Sequence, residues 1–147
     1  MHNRPPMRPG KSLTWILRAV GVLTVLAPVL GGCGSETDDR PAKWSYIYPA
    51  IIEPSCATAS CHSSFTKRAG VNLGDTDEAY YQMVARHFVA TCSMPPAQTC
   101  LDRIAADSEV VHLMRADGAS RMPPDFALPE ADIQLIEAWI STNAPQN

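Results

Sequence analysis

The sequence predicts a small all-α domain of three to five helices, preceded by a leader and a tether. Apolar side chains recur three and four residues apart in separate segments, and each segment begins at residues that favour a helix start. No segment of useful length alternates apolar with polar side chains, as a half-buried strand would. Because a chain of 147 residues usually makes one domain, we expect the helices to share one core.

The first 32 residues are typical of a lipoprotein signal peptide. Four basic residues precede an apolar run at 19–30, which is shorter than the ~20 residues that a membrane-spanning helix needs. The run leads into Leu-Gly-Gly-Cys at 30–33, which resembles the cleavage site of bacterial lipoproteins. Cleavage there would leave a lipid on Cys33 and the domain on the periplasmic side of a membrane, inner or outer. An uncleaved membrane anchor is the alternative interpretation.

A polar segment at 33–43 is predicted to be the lipidated N-terminus and linker, and the domain to extend over 44–147. Without the leader, the chain keeps all 15 acidic residues but only eight of its 12 basic residues. The resulting net charge near −7 argues against nucleic acid as a partner.

Two helices are predicted in the first half of the domain. Residues 48–53 form a short helix with Pro49 in its first turn, where the missing N–H costs little, and Pro54 ends it. The string Asp-Thr-Asp-Glu at 75–78 is a capping signal that predicts the start of a second helix. Its apolar face, at positions i, i+4, i+7 and i+8, is predicted to consist of Tyr80, Val84, His87 and Phe88.

Two more helices follow a loop predicted at 92–100. The third is capped at Ser108 and Glu109 and ends at 117–118. The last begins at 129–130. The apolar residues that share a face are Val110, Leu113 and Met114 on the third helix, and Ile133, Ile136 and Ile140 on the last, with Leu135 and Trp139 beside them.

Four cysteines remain in the domain, as two local pairs in an oxidising compartment. Cys92 and Cys100 have no histidine beside them and are separated by seven residues, two of them proline. A disulfide that closes this surface loop is the preferred interpretation, and it would stabilise a small core.

The other pair, Cys56 and Cys61, is followed directly by His62. Two thiols in a short loop can add to the two vinyl groups of haem while the adjacent imidazole reaches the iron. Four residues separate the cysteines instead of the usual two, so the loop must bulge. A plain Cys56–Cys61 disulfide is an open alternative. A zinc site is less favoured, because no second Cys/His pair at finger spacing is present.

The sequence resembles single-haem c-type cytochrome modules of the lipoprotein type over residues 44–145. Tyr-Pro-Ala-Ile-Ile-Glu-Pro-Ser-Cys at 48–56, Arg-Met-Pro-Pro at 121–124 and Ile-Glu-Ala-Trp-Ile at 136–140 occur in the family's order. The chain departs from the family in its CxxxxCH spacing and in Ser63, where a glycine often follows the histidine.

The resemblance implies a class I cytochrome c-like fold around one covalent haem c. Cys56 and Cys61 would be its thioether anchors, His62 the proximal ligand and Met122 the distal ligand of the iron. A neutral thioether ligand would raise the redox potential relative to two histidines. The other candidates for the sixth position are Met94, which also precedes two prolines, His87, His112, or no residue at all.

These features predict an electron carrier that is not an enzyme. Its expected partners are redox proteins, and the N-terminal lipid would attach it to a membrane. Two alternatives remain open. One is a haemless binding or scaffold lipoprotein with a Cys56–Cys61 disulfide, and the other is a haem peroxidase or ligand sensor with an open sixth position.

Overall fold

The computed structural model describes residues 38–147, which form helices and include no β-strand, so the all-α prediction is confirmed. The predicted signal peptide and the lipid site at Cys33 lie outside the described residues. In order, the elements are α1 (Trp44–Ile47), a π-helical segment (Tyr48–Ile52), α2 (Glu53–Cys56), a 3₁₀ turn (Arg68–Gly70), α3 (Thr76–Ala85), α4 (Gln98–Ile104), α5 (Glu109–Arg115), a 3₁₀ turn (Gly118–Ser120) and α6 (Glu130–Ile140).

The first helix is longer than predicted, because α1, the π-helical segment and α2 follow one another without a break over 44–56. The prediction that Pro54 ends it was wrong. Glu53 N–H donates to the carbonyl of Tyr48, five residues back, so the turn between the two prolines is wider than an α-helical turn. A wider turn gives room to a proline ring and needs no donor from its nitrogen. The helix therefore continues to Cys56.

Helix α3 begins as predicted and ends earlier. The Asp75 carboxylate accepts hydrogen bonds from the N–H groups of Asp77 and Glu78 at 3.0 and 3.2 Å. The helix ends at Ala85, and His87 has a φ of 60°, which turns the chain out of the helix. The prediction that His87 and Phe88 extend the helical face was therefore wrong.

Helix α4 was not predicted, and it overlaps the end of the loop predicted at 92–100. It includes Cys100, and the predicted disulfide between Cys92 and Cys100 is confirmed. Leu101 and Ile104 have helical spacing, but the segment is short, follows two prolines and has no side-chain cap. Those features explain why periodicity alone did not reveal this helix.

Helix α5 begins at the predicted position, but Ser108 does not cap it. The fully buried hydroxyl of Ser108 accepts a hydrogen bond from Ala90 N–H at 2.9 Å and donates to the carbonyl of Ile104 at 2.6 Å. Ser108 thus connects the end of α4 to the non-helical segment that follows α3. The helix ends at Arg115, before the predicted 117–118.

Helix α6 is confirmed, and all five of its predicted apolar residues are buried. It packs against α1 and α5. The rings of Trp139 and Trp44 lie 5.1 Å apart, and Tyr48 and Tyr80 extend this aromatic cluster. The core therefore lies between the first and last helices, and it leaves the far end of α2 open to a cleft.

The C-terminal segment closes the opposite end of the domain. The side-chain and main-chain oxygens of Asn147 accept from the N–H groups of Trp44 and Ser45 at 3.0 and 2.8 Å. These two N–H groups lie in the first turn of α1 and have no acceptor within the helix. Asn147 therefore provides the cap that the Lys43 side chain does not.

Candidate functional site

Two adjoining cavities share Cys56, His62 and Met122 and together form one cleft. The first cavity also reaches Cys61 and Arg68. The second is almost wholly apolar and has a cavity volume of about 170 Å³. Its walls include Val71 and Leu73 from the loop before α3, Met83 from α3, Phe88, and Val110, Leu113 and Met114 from α5.

The cysteine loop closes on itself between α2 and His62. His62 N–H donates to the carbonyl of Cys56 at 3.0 Å, and Cys61 N–H donates to the carbonyl of Thr58 at 2.9 Å. These bonds fold the four intervening residues into a compact turn. The unusual spacing therefore still places both thiols and the imidazole at the cleft.

The ring of His62 is fixed by a hydrogen bond 3.0 Å long between its Nδ1 and the carbonyl of Arg68. A carbonyl oxygen only accepts, so Nδ1 carries the proton of the neutral ring and Nε2 keeps its lone pair. The main chain is held as well, since the His62 carbonyl accepts from Leu73 N–H at 2.6 Å. A histidine oriented in this way is prepared to bind a metal through Nε2.

The two thiols of the cleft are free and differ in their surroundings. Burial raises the pKa of the Cys56 thiol to about 12. Hydrogen bonds from Thr58 and Ser60 hold the pKa of the Cys61 thiol below its ordinary value. The Cys56–Cys61 disulfide that the sequence left open is not formed in this structure, and Cys61 is the more readily ionised of the two.

Met122 lies on the loop that follows the second 3₁₀ turn and also lines the cleft. Its N–H donates to the carbonyl of Leu113 at 2.9 Å, which ties the loop to α5. Its side chain is 37% exposed and lines the same two cavities as His62. The structure therefore brings the two predicted axial residues to one cleft.

The competing candidates lie elsewhere. Met94 is 78% exposed on the disulfide loop, with its sulfur 3.4 Å from the side-chain nitrogen of Asn143. His87 and His112 are exposed, and none of these three side chains lines the cleft.

Two features of the cleft were not predicted from the sequence. Met83 and Met114 are buried and line the apolar cavity, which adds two thioethers to its walls. The carbonyl of Arg68 orients His62, and nothing in the sequence pattern singles it out. The predicted face of α5 gave the only available signal, because its three apolar residues face the cleft.

The residues present fit a porphyrin. The cleft offers apolar walls, two free thiols, an imidazole and a thioether. Within residues 38–147, no group of three or more His, Cys, Asp or Glu side chains is placed to hold a metal ion. A haem iron needs no such group, because the porphyrin supplies four of its ligands.

Comparison of the chain with protein-family models, curated proteins and solved structures found no match. In the part of the chain that the structure describes, no helix is both long and apolar enough to cross a membrane.

Proposed function

We propose that this chain is an electron-transfer protein that binds one covalent haem c in the cleft and is attached to the periplasmic side of a membrane by a lipid on Cys33. One observation carries the proposal. The two thiols of the CxxxxCH segment, the oriented imidazole of His62 and the thioether of Met122 all line one apolar cleft.

Each residue of the cleft has a distinct role in this proposal. Cys56 and Cys61 would hold the porphyrin through thioether bonds, and His62 Nε2 and Met122 Sδ would bind the iron. The bound haem supplies a centre that gains and loses one electron. The Arg68 carbonyl would keep Nε2 available, and the apolar walls would leave little water beside a bound haem to reorganise when the charge of the haem changes.

The proposed partners are redox proteins of the same compartment. A lipid on Cys33 would confine the domain near the membrane and raise its effective concentration for donors and acceptors there. No group in the cleft is required to move a proton or to make a bond in a substrate.

The test is the mass and the spectrum of the exported protein, made with Cys33→Ser in cells that mature other c-type cytochromes. We expect the mass of the chain plus one haem, and a sharp reduced α band that survives acid-acetone extraction. A colourless product without the added mass would refute the haem and favour a haemless binding lipoprotein.

The distal ligand is tested by a matched pair of variants, since Met122 and Met94 each precede two prolines. We expect Met122→Ala to abolish the sulfur-to-iron charge-transfer band and Met94→Ala to leave it unchanged. Loss of the band in the Met94 variant would contradict the assignment. Binding of carbon monoxide by the reduced wild-type protein would indicate an open sixth position and a sensor or peroxidase instead.

A further inference from the structure

Three basic side chains near the cleft have no acidic partner, although the chain without its leader is strongly acidic. Lys67, Arg68 and Arg86 form no ion pair with any carboxylate of residues 38–147. The basic residues that do form ion pairs there are Arg40, Arg103 and Arg115.

Arg68 and Arg86 are joined to the cleft by contacts, and Lys67 is next to Arg68 in the sequence. Arg68 lines the first cavity, and Lys67 precedes it on the same loop. Arg86 Nη1 donates to the carbonyl of Gly70 at 2.9 Å, which joins the end of α3 to that loop. The Arg86 guanidinium also lies 5.7 Å from the ring centroid of Phe88, a wall residue of the second cavity.

The same loop exposes a large apolar side chain. Phe65 precedes Lys67 by two residues. It is 96% exposed, more than any other large apolar residue within 38–147. An aromatic side chain beside cations is typical of the few residues that dominate a protein interface, because it buries much area at low entropic cost.

We propose that Phe65, Lys67, Arg68 and Arg86 form a docking surface for an acidic protein, the electron partner of the proposed function on which this inference rests. The positive border would attract an acidic partner to the cleft and orient it, while the acidic remainder of the chain would repel it from other faces. Phe65 would then provide the apolar contact.

An anionic lipid surface suits the observations less well. Anionic lipids attract polybasic segments, whereas this chain without its leader carries an excess of acidic residues. A partner that exchanges electrons must also approach the cleft itself, which these cations border.

The first test uses two fluorescent peptides, deca-glutamate and a peptide of alternating glutamate and leucine, titrated into the full exported protein with Cys33→Ser. At about 0.1 M salt, where charges are screened beyond ~10 Å, we expect Lys67→Glu to weaken both peptides roughly tenfold. Lys43→Glu is the matched control, because it changes the net charge equally at the far end of residues 44–56. Phe65→Ala should weaken only the leucine-containing peptide.

Equal weakening by Lys43→Glu and Lys67→Glu would show an effect of net charge alone and overturn the proposal. The proposal would also be overturned if neither peptide bound while vesicles of phosphatidylcholine and phosphatidylglycerol retained the protein through Phe65, since that result indicates a lipid surface. Peptide binding is measured by fluorescence anisotropy and haem content by absorbance, so the two results are independent. A colourless protein would refute the proposed function but would not by itself lower peptide binding.

The second test measures electron transfer itself. The reduced protein is oxidised by anionic hexacyanoferrate(III) and by cationic tris(phenanthroline)cobalt(III) at several salt concentrations. If net charge alone governed the reaction, the cationic reagent would react faster than the anionic one, and the rate with the cationic reagent would fall as salt is added. We expect the hexacyanoferrate rate to fall with salt instead, and to fall roughly tenfold in Lys67→Glu at low salt. A hexacyanoferrate rate that rises with salt would overturn the proposal.

Discussion

Replacement of Ser108 by alanine tests how the helices that line the cleft are held together. The hydroxyl is fully buried, accepts from Ala90 N–H and donates to the Ile104 carbonyl. Alanine would leave a buried donor and a buried acceptor without partners, and each unsatisfied group costs about 1–3 kcal/mol. Because the site can relax in part, we expect a loss of about 2–4 kcal/mol in the free energy of unfolding.

Urea unfolding measures this loss. With a slope of about 2 kcal/mol per molar urea, the midpoint should fall by about 1–2 M at unchanged slope. Ser141→Ala is the matched control, since the Ser141 hydroxyl donates to the Glu137 carbonyl at 2.9 Å in the same i−4 pattern but in solvent. We expect it to change stability by less than about 0.5 kcal/mol. Equal losses in the two variants would refute the reasoning from burial.

Three further predictions concern other parts of the domain. Gly74→Ala should lower the free energy of unfolding in urea by about 1–3 kcal/mol, because the added Cβ would lie 2.4 Å from a backbone nitrogen. The loss should be larger than that of the control Gly118→Ala, where only a positive φ opposes the change and no atom lies near the added Cβ. Asn147→Ala should cost about 1 kcal/mol and lower the melting temperature by a few degrees, since it removes a cap from α1. In haem-free protein at about pH 8, mass spectrometry should find Cys61 alkylated at least about tenfold faster than Cys56. Hydrogen bonds lower the pKa of the Cys61 thiol, whereas burial raises the pKa of the Cys56 thiol. Equal rates of alkylation would contradict this difference.

The sequence predicted those helices whose apolar side chains repeat over several turns. Helix α6 is the clearest case, since all its predicted core residues are buried. His87 fitted the periodic pattern of α3 but adopts a positive φ, a backbone choice that periodicity does not record. Helix α4 is too short to show a pattern that differs from chance.

The residues of the cleft divide in a similar way. Cys56, Cys61, His62 and Met122 stand in motifs whose chemistry can be recognised from residue type and spacing. The orientation of His62 depends instead on a main-chain carbonyl, and every residue has one. Only the fold decides which carbonyl meets the imidazole, so no single sequence could have identified it.

The unbroken course of residues 44–56 gives the molecule two poles. At no more than about 1.5 Å per residue, the segment from Trp44 to Cys56 spans at most about 18 Å, with the hydrogen bonds of Asn147 at one pole and the reactive groups at the other. The ten residues before Trp44 can span at most about 35 Å. If Cys33 carries the proposed lipid, that segment joins the domain at Trp44, so the proposed haem cleft would lie at the pole farther from the point of attachment.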